Sequence, residues 1–168
     1  SSLTFTTSNW NTAQTVTVTG VDDSLDDGDI TTTLTATASN TGGYAGTETA
    51  TTTLKTSDND AAGITIAQTG TTDGSGNLLT TEAGSTSTFT VVLDAQPTAD
   101  VTVTLSGADS TEHSLSSSSL TFTTSNWNTA QTITVTGAND AVVDGDITTT
   151  LTATASNTGG YAGTETAT

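Results

Sequence analysis

The 168 residues predict an all-β protein, an antiparallel β-sandwich. Three observations lead there. Thr, a β-branched strand former, fills 48 positions and Ser another 18. Apolar residues alternate with Thr at period two in several short runs, and no stripe of helical spacing reaches ten residues. Gly, Asn and Asp clusters separate those runs, as turns between antiparallel strands require.

The alternating runs, in chain order, are Leu3-Thr4-Phe5, Thr15–Thr19, Ile64-Thr65-Ile66, Phe89–Leu93 and Val101–Leu105. Each predicts a half-buried strand, with the apolar residues facing a core and the Thr hydroxyls facing water. The punctuation falls at Ser8-Asn9, Gly20, Asp27-Gly28, Asn40–Gly43, Asp73–Asn77 and Gly107. High charge with 31% hydrophobic residues approaches the composition of disordered chains, but those are rich in Pro, Glu, Lys and Gln, whereas this chain is rich in Thr and Val.

An internal repeat organises the chain. Residues 1–51 align without a gap to residues 118–168, a period of 117, and only six of the 51 aligned pairs differ. Five of the six (Val21/Ala138, Asp22/Asn139, Ser24/Ala141, Leu25/Val142 and Asp26/Val143) fall in the loop Gly20–Asp29; the sixth is Val16/Ile133. A period of this length suits a whole domain rather than a solenoid turn. Residues 1–60 therefore read as the second half of one repeat. Residues 61–168 read as a second repeat, nearly complete but lacking its last strand, since nothing matches Thr52–Asp60.

The charge is one-sided: 18 Asp+Glu against a single Lys and no Arg, a net charge of −17. Nothing cationic is available to neutralise phosphates, which excludes nucleic acid and anionic membrane surfaces as partners. Without cysteine there is no disulfide framework and no thiolate metal site. No apolar run is long enough to cross a bilayer, and the opening residues do not read as a signal peptide. One His, no nucleophile–base set and no phosphate loop predict that the chain is not an enzyme.

The acids are clustered. Asp22, Asp23, Asp26, Asp27 and Asp29 lie within eight residues, and Asp58 and Asp60 follow the next Thr-rich run. In the second repeat the acids are Glu82, Asp109, Glu112, Asp140, Asp144 and Asp146. Such crowding is repulsive and only partly screened by water and salt. With one Lys in the chain, the expected counter-charge is not a side chain but a hard divalent cation. Ca²⁺, which takes carboxylate and carbonyl oxygens in flexible loops, suits the donor set, whereas zinc and copper do not. The candidate ligands are Asp22, Asp23, Asp27, Asp29, Asp58, Asp60, Glu82, Asp109, Glu112, Asp140, Asp144 and Asp146. The spacing matches neither an EF-hand nor a glycine-rich nonapeptide roll. Plain solvated turns are the alternative reading of the same Asp-Gly and Asp-Asp pairs. His113 is expected to pack rather than ligate, and Trp10 and Trp127 to pack at a core or sheet edge.

Here the residues resemble a family. Gly20-Val21-Asp22-Asp23, then Asp27-Gly28-Asp29, a Thr-rich strand, and Asp58-Asn59-Asp60-Ala61-Ala62-Gly63-Ile64 are similar to the Calx-beta domain. So are Thr81-Glu82-Ala83-Gly84 and Ser106–His113 ahead of Leu120-Thr121-Phe122. That module is found in sodium–calcium exchangers, integrin β4 and, as long arrays, large secreted bacterial adhesins of the RTX type. The resemblance implies a seven-stranded, immunoglobulin-like sandwich holding Ca²⁺ at one end. The ligands carried over are Glu82, Glu112, Asp140 and Asp144 in the second repeat and Asp23, Asp27, Asp58 and Asp60 in the first. The sequence departs from the pattern at Ile30, Ile147, Asn59 and Asn139, which implies fewer or weaker ions.

The function so implied is that of a Ca²⁺-stiffened extender or stalk in a large extracellular, cell-surface bacterial adhesion protein, its partners being neighbouring repeats of the same chain. Two alternatives stand beside it. One is a filament self-assembled by strand complementation, with Thr52–Asp60 of one molecule completing the repeat that stops at Thr168 in another. The other is a module whose end loops hold a glycan or host receptor.

Overall fold

The computed structural model describes all of residues Ser1–Thr168. Ten strands form, β1 (Ile30–Thr37), β2 (Thr49–Thr56), β3 (Ile64–Gln68), β4 (Thr86–Leu93), β5 (Val101–Ser106), β6 (His113–Leu115), β7 (Ser119–Phe122), β8 (Gln131–Gly137), β9 (Thr152–Ala155) and β10 (Thr166–Ala167), and there is no helix. Every strand pairing is antiparallel.

Residues 61–168 fold as two four-stranded sheets, ordered β3-β4-β8-β6 and β10-β9-β5-β7. The alternation predicts the burial here: in β5 Val101, Val103 and Leu105 are buried while Thr102, Thr104 and Ser106 are exposed. In β4 the inward set is Ser87, Phe89, Val91 and Leu93. Phe89, Phe122 and Ile133 are the bulkiest fully covered side chains, and each contributes about 1.5–3 kcal/mol over its exposed state. Ser87, the polar member of the inward set, donates its hydroxyl to the Thr71 carbonyl, so its burial leaves no orphan.

Eight strands stand where the resemblance implies seven. After β6 pairs with β8, the chain crosses at residues 116–118 and β7 pairs with β5 in the other sheet. The last strand of the second repeat, read from sequence as missing, is represented by Thr166–Ala167, which pairs with β9 in the register that β2 uses on β1: Thr166↔Thr154 is the counterpart of Thr49↔Thr37.

Two predicted strands are corrected. Leu3–Phe5 and Thr15–Thr19 are not strands, although their near-identical counterparts Leu120–Phe122 and Thr132–Thr136 lie in β7 and β8. The reason is tertiary. β7 needs β5, and β8 needs β4 and β6, and the one stretch of that type among the 168 residues, 61–117, is already paired with residues 118–137. Residues 1–60 keep only the hairpin β1–β2, whose partners lie within the same segment. Phe5 is accordingly 51% exposed where Phe122 is fully buried.

Candidate functional site

Two acidic sites result, one at each end of the sandwich. At the end remote from residues 1–60, Glu112 stands just before β6, and Asp140 and Asp144 sit in the loop after β8. Backbone bonds fix their approach: the Ala138 N–H donates to the Glu112 carbonyl at 2.7 Å, and the His113 N–H to the Asp109 carbonyl at 2.9 Å. Carboxylate oxygens of Glu112, Asp140 and Asp144 all lie within 4.8 Å of one another. Oxygens around one Ca²⁺ sit about 2.3–2.6 Å from the ion, hence up to roughly 5 Å apart, so a single hard cation fits the three. Asp140 also accepts the Val142 N–H at 2.8 Å, which shapes the loop.

Three other predicted ligands of this repeat stand outside that group. Glu82 lies exposed on the turn Thr81–Gly84, which abuts the exit of β8: a Cβ on Gly137 would be 2.1 Å from the Thr81 carbonyl oxygen, so only glycine lets the two backbones approach. Asp109 is committed to the Thr111 hydroxyl and N–H, at 2.6 and 3.0 Å. Those bonds, with His113 nearby, hold its carboxyl below the usual range. Asp146 is exposed and follows Gly145, which takes a left-handed φ of 79°. His113 itself is buried, its Nε2 3.3 Å from the Thr149 hydroxyl, a packing role.

The second site is the junction with the first repeat. Asp58 Oδ2 accepts the N–H groups of Asp27 and Gly28, at 3.0 and 2.7 Å, and its other oxygen accepts that of Asp60. These backbone donors hold the Asp58 carboxyl below its ordinary range. Asp60 moves the other way, raised by desolvation and then by the charges of Asp58, Asp22, Asp23 and Asp26. Asp23 accepts the Leu25 N–H at 2.9 Å, the counterpart of the Asp140 turn.

One expectation fails here. The loop's counter-charge is in part a side chain: Lys55, on β2, forms an ion pair with Asp29, whose pKa is lowered first by that bond and then by the Asp58 N–H. The sequence separation hid this pairing, because only the β1–β2 hairpin brings residues 29 and 55 together. Five acids of the junction (Asp22, Asp23, Asp27, Asp58 and Asp60) have no basic partner.

Asp26, absent from the predicted ligands, has a distinct place. Its Oδ2 accepts the Ala62 N–H at 2.8 Å, and the neighbouring Ser24 carbonyl accepts the Gln96 N–H at 2.7 Å, so the loop of one repeat is bonded to the base of the next. Leu25, Asp26 and Asp27 share a small cleft with Ala95, Gln96 and Tyr161. Tyr161, buried, anchors that base by donating to the Ala95 carbonyl at 2.9 Å. A signal was present in the sequence: five of the six differences between the copies fall in this loop, the part that meets whatever follows.

No helix is long and apolar enough to cross a membrane. No known family model, curated protein or solved structure matches the chain.

Proposed function

We propose that the chain is a structural extender: a run of acidic, Thr-coated sandwiches whose ends bind Ca²⁺, serving as part of the stalk of a large extracellular bacterial adhesion protein. The observation that carries this is the convergence of Glu112, Asp140 and Asp144 from two separate loops, with no basic side chain between them. Repulsion alone drives such carboxylates apart. The junction supports the same reading, since Asp58, Asp60 and the Asp22–Asp27 run meet where one repeat is hydrogen-bonded to the next.

Glu112, Asp140 and Asp144 would hold an ion at the free end, and Asp23, Asp27, Asp58 and Asp60 at the junction. Ca²⁺ supplies positive charge and a coordination shell that ties separate loops to one point. The chain's own part is to fix the carboxylates: the Asp58 oxygens are held by backbone N–H groups, and Asp26 and Ser24 bridge to Ala62 and Gln96. A junction so tied resists bending. Bacterial origin and surface location rest on the Calx-beta resemblance, and no catalytic role is proposed.

Small-angle scattering of the 168-residue chain in millimolar Ca²⁺ and in chelator tests this function. A longer, narrower particle with Ca²⁺ supports it; the same maximum dimension in both conditions rejects it.

A further inference from the structure

The loop between β9 and β10 is folded by one carboxylate. Glu165 accepts the N–H groups of Ala162 and Gly163, both at 3.0 Å, and its own carbonyl accepts the Ala155 N–H at 3.1 Å. No cation assists, since the one Lys of the chain is paired with Asp29. Residues Gly159–Glu165 repeat Gly42–Glu48 one for one, and there Glu48 accepts the Ala45 and Thr47 N–H groups in the same way. Two copies in different surroundings thus make the same charge-assisted turn, so its own sequence dictates it. The segment so folded faces the preceding repeat. Gly159, Gly160 and Tyr161 line the cleft that they share with Leu25, Asp26 and Asp27. The Gly159 carbonyl accepts the Thr98 N–H at 2.9 Å, and Tyr161 donates to the Ala95 carbonyl at 2.9 Å. Between these two anchors stands Gln96, whose N–H reaches the Ser24 carbonyl across the junction at 2.7 Å.

We propose that Glu165 is the positioning residue of the surface that receives the preceding repeat: its ionised carboxylate holds the loop against residues 95–98, and acid releases the loop and its grip on Ser24–Asp27. Glu165 itself makes no hydrogen bond to the junction and acts through Gly159–Tyr161. Desolvation alone would raise this carboxyl, but the N–H groups of Ala162, Glu165, Gly163 and Thr164 take it below the usual glutamate range. Its contribution is therefore present above the unfolded glutamate value and is lost as pH falls through the depressed one. The titratable groups around it are the Tyr161 phenol in the loop, Asp94 near that phenol, and Asp26 and Asp27 across the cleft. None is basic, so none can take over the acceptor's role once Glu165 is protonated. The device involves no ion and stands apart from the Ca²⁺ reading.

Hydrogen exchange of the 168-residue chain in chelator, read amide by amide as protection factors from neutral pH into acid, tests it. Gln96 is the reporter, because its acceptor across the junction is a carbonyl that does not titrate. In the wild type, Ala162, Gly163 and Gln96 should lose protection together in one acid step. Glu165→Gln keeps only one acceptor oxygen for two N–H groups. It should lower the protection of all three amides about tenfold already at neutral pH, remove the acid step at Gln96 and leave the β4–β8 ladder protected. Unchanged Gln96 protection in Glu165→Gln, or an acid step at Gln96 that survives the substitution, would overturn the proposal. Loss of protection throughout the β4–β8 ladder in that variant would overturn it as well, because Glu165 would then support the sandwich rather than the loop.

Discussion

Asp26 accepts the backbone N–H of Ala62 at 2.8 Å, joining the late loop of one repeat to the first residues of the next. The counterpart of Asp26 is Val143, whose side chain cannot accept a hydrogen bond and is fully exposed. Junctions built on the two loops therefore differ in chemistry although the repeats are almost the same sequence. Asp26→Val should leave Ala62 without this acceptor and loosen the junction. The expected cost is small, about 0.5–1 kcal/mol for an exposed bond, but scattering should register a broader distribution of particle lengths, with the 61–168 melting midpoint unchanged.

Tyr161 donates to the Ala95 carbonyl at 2.9 Å and is buried, while its counterpart Tyr44 is 57% exposed. Tyr161→Phe should cost about 1–3 kcal/mol, because the Ala95 carbonyl then loses its partner in a site closed to water. Tyr44→Phe should cost nothing measurable. Denaturant titration of the two variants side by side checks this.

Gly137 faces the Thr81 carbonyl with no room for a Cβ, whereas a Cβ on Gly20 would meet only a Thr56 methyl at 3.4 Å, an ordinary contact. Gly137→Ala should destabilise the sandwich by about 1–3 kcal/mol through displaced backbone, and Gly20→Ala should be close to neutral. Thermal melts of the pair decide it.

Three strands of the sandwich, β3, β4 and β5, were legible because each carries its own period-two pattern, whereas the short β6, β9 and β10 carry none. Phe89–Leu93 and Val101–Leu105 read as half-buried strands and are. Leu3–Phe5 and Thr15–Thr19 carry patterns of the same quality and are not strands, since a strand exists only with a hydrogen-bonding neighbour and theirs would come from residues of the 61–117 type. Pattern reports which face a strand would bury, not whether a partner is present. The acids were legible as clusters, but which of them meet, Glu112 with Asp140 and Asp144 and not Glu82, is set by the loops before β6 and after β8. The Lys55–Asp29 pair and the Asp26–Ala62 bond were not, because each joins residues brought together only by the hairpin or the junction.

The junction acids titrate in opposite senses. Asp58 has a depressed folded pKa, so its contribution to stability is present above the unfolded carboxylate value and is lost as pH falls through the depressed one. Asp60 has a raised folded pKa, so ionising it costs stability as pH rises through the raised value. In chelator at neutral pH, Asp60→Asn should therefore raise the melting temperature of the junction, and added NaCl should shrink the gain by screening the same repulsion. In Ca²⁺ the order should reverse, since the variant gives up a ligand. A variant that melts below wild type in chelator would contradict the crowding of Asp60 by its neighbours.

Calorimetric titration of Ca²⁺ into the chelator-stripped 168-residue chain addresses the metal sites themselves. The expected result is saturable binding in more than one class of site, with the class at Glu112, Asp140 and Asp144 removed by combining Asp140→Asn with Asp144→Asn while the junction class persists. Absence of any saturable heat at millimolar Ca²⁺ would contradict the account, and would reduce both acidic ends to solvated loops.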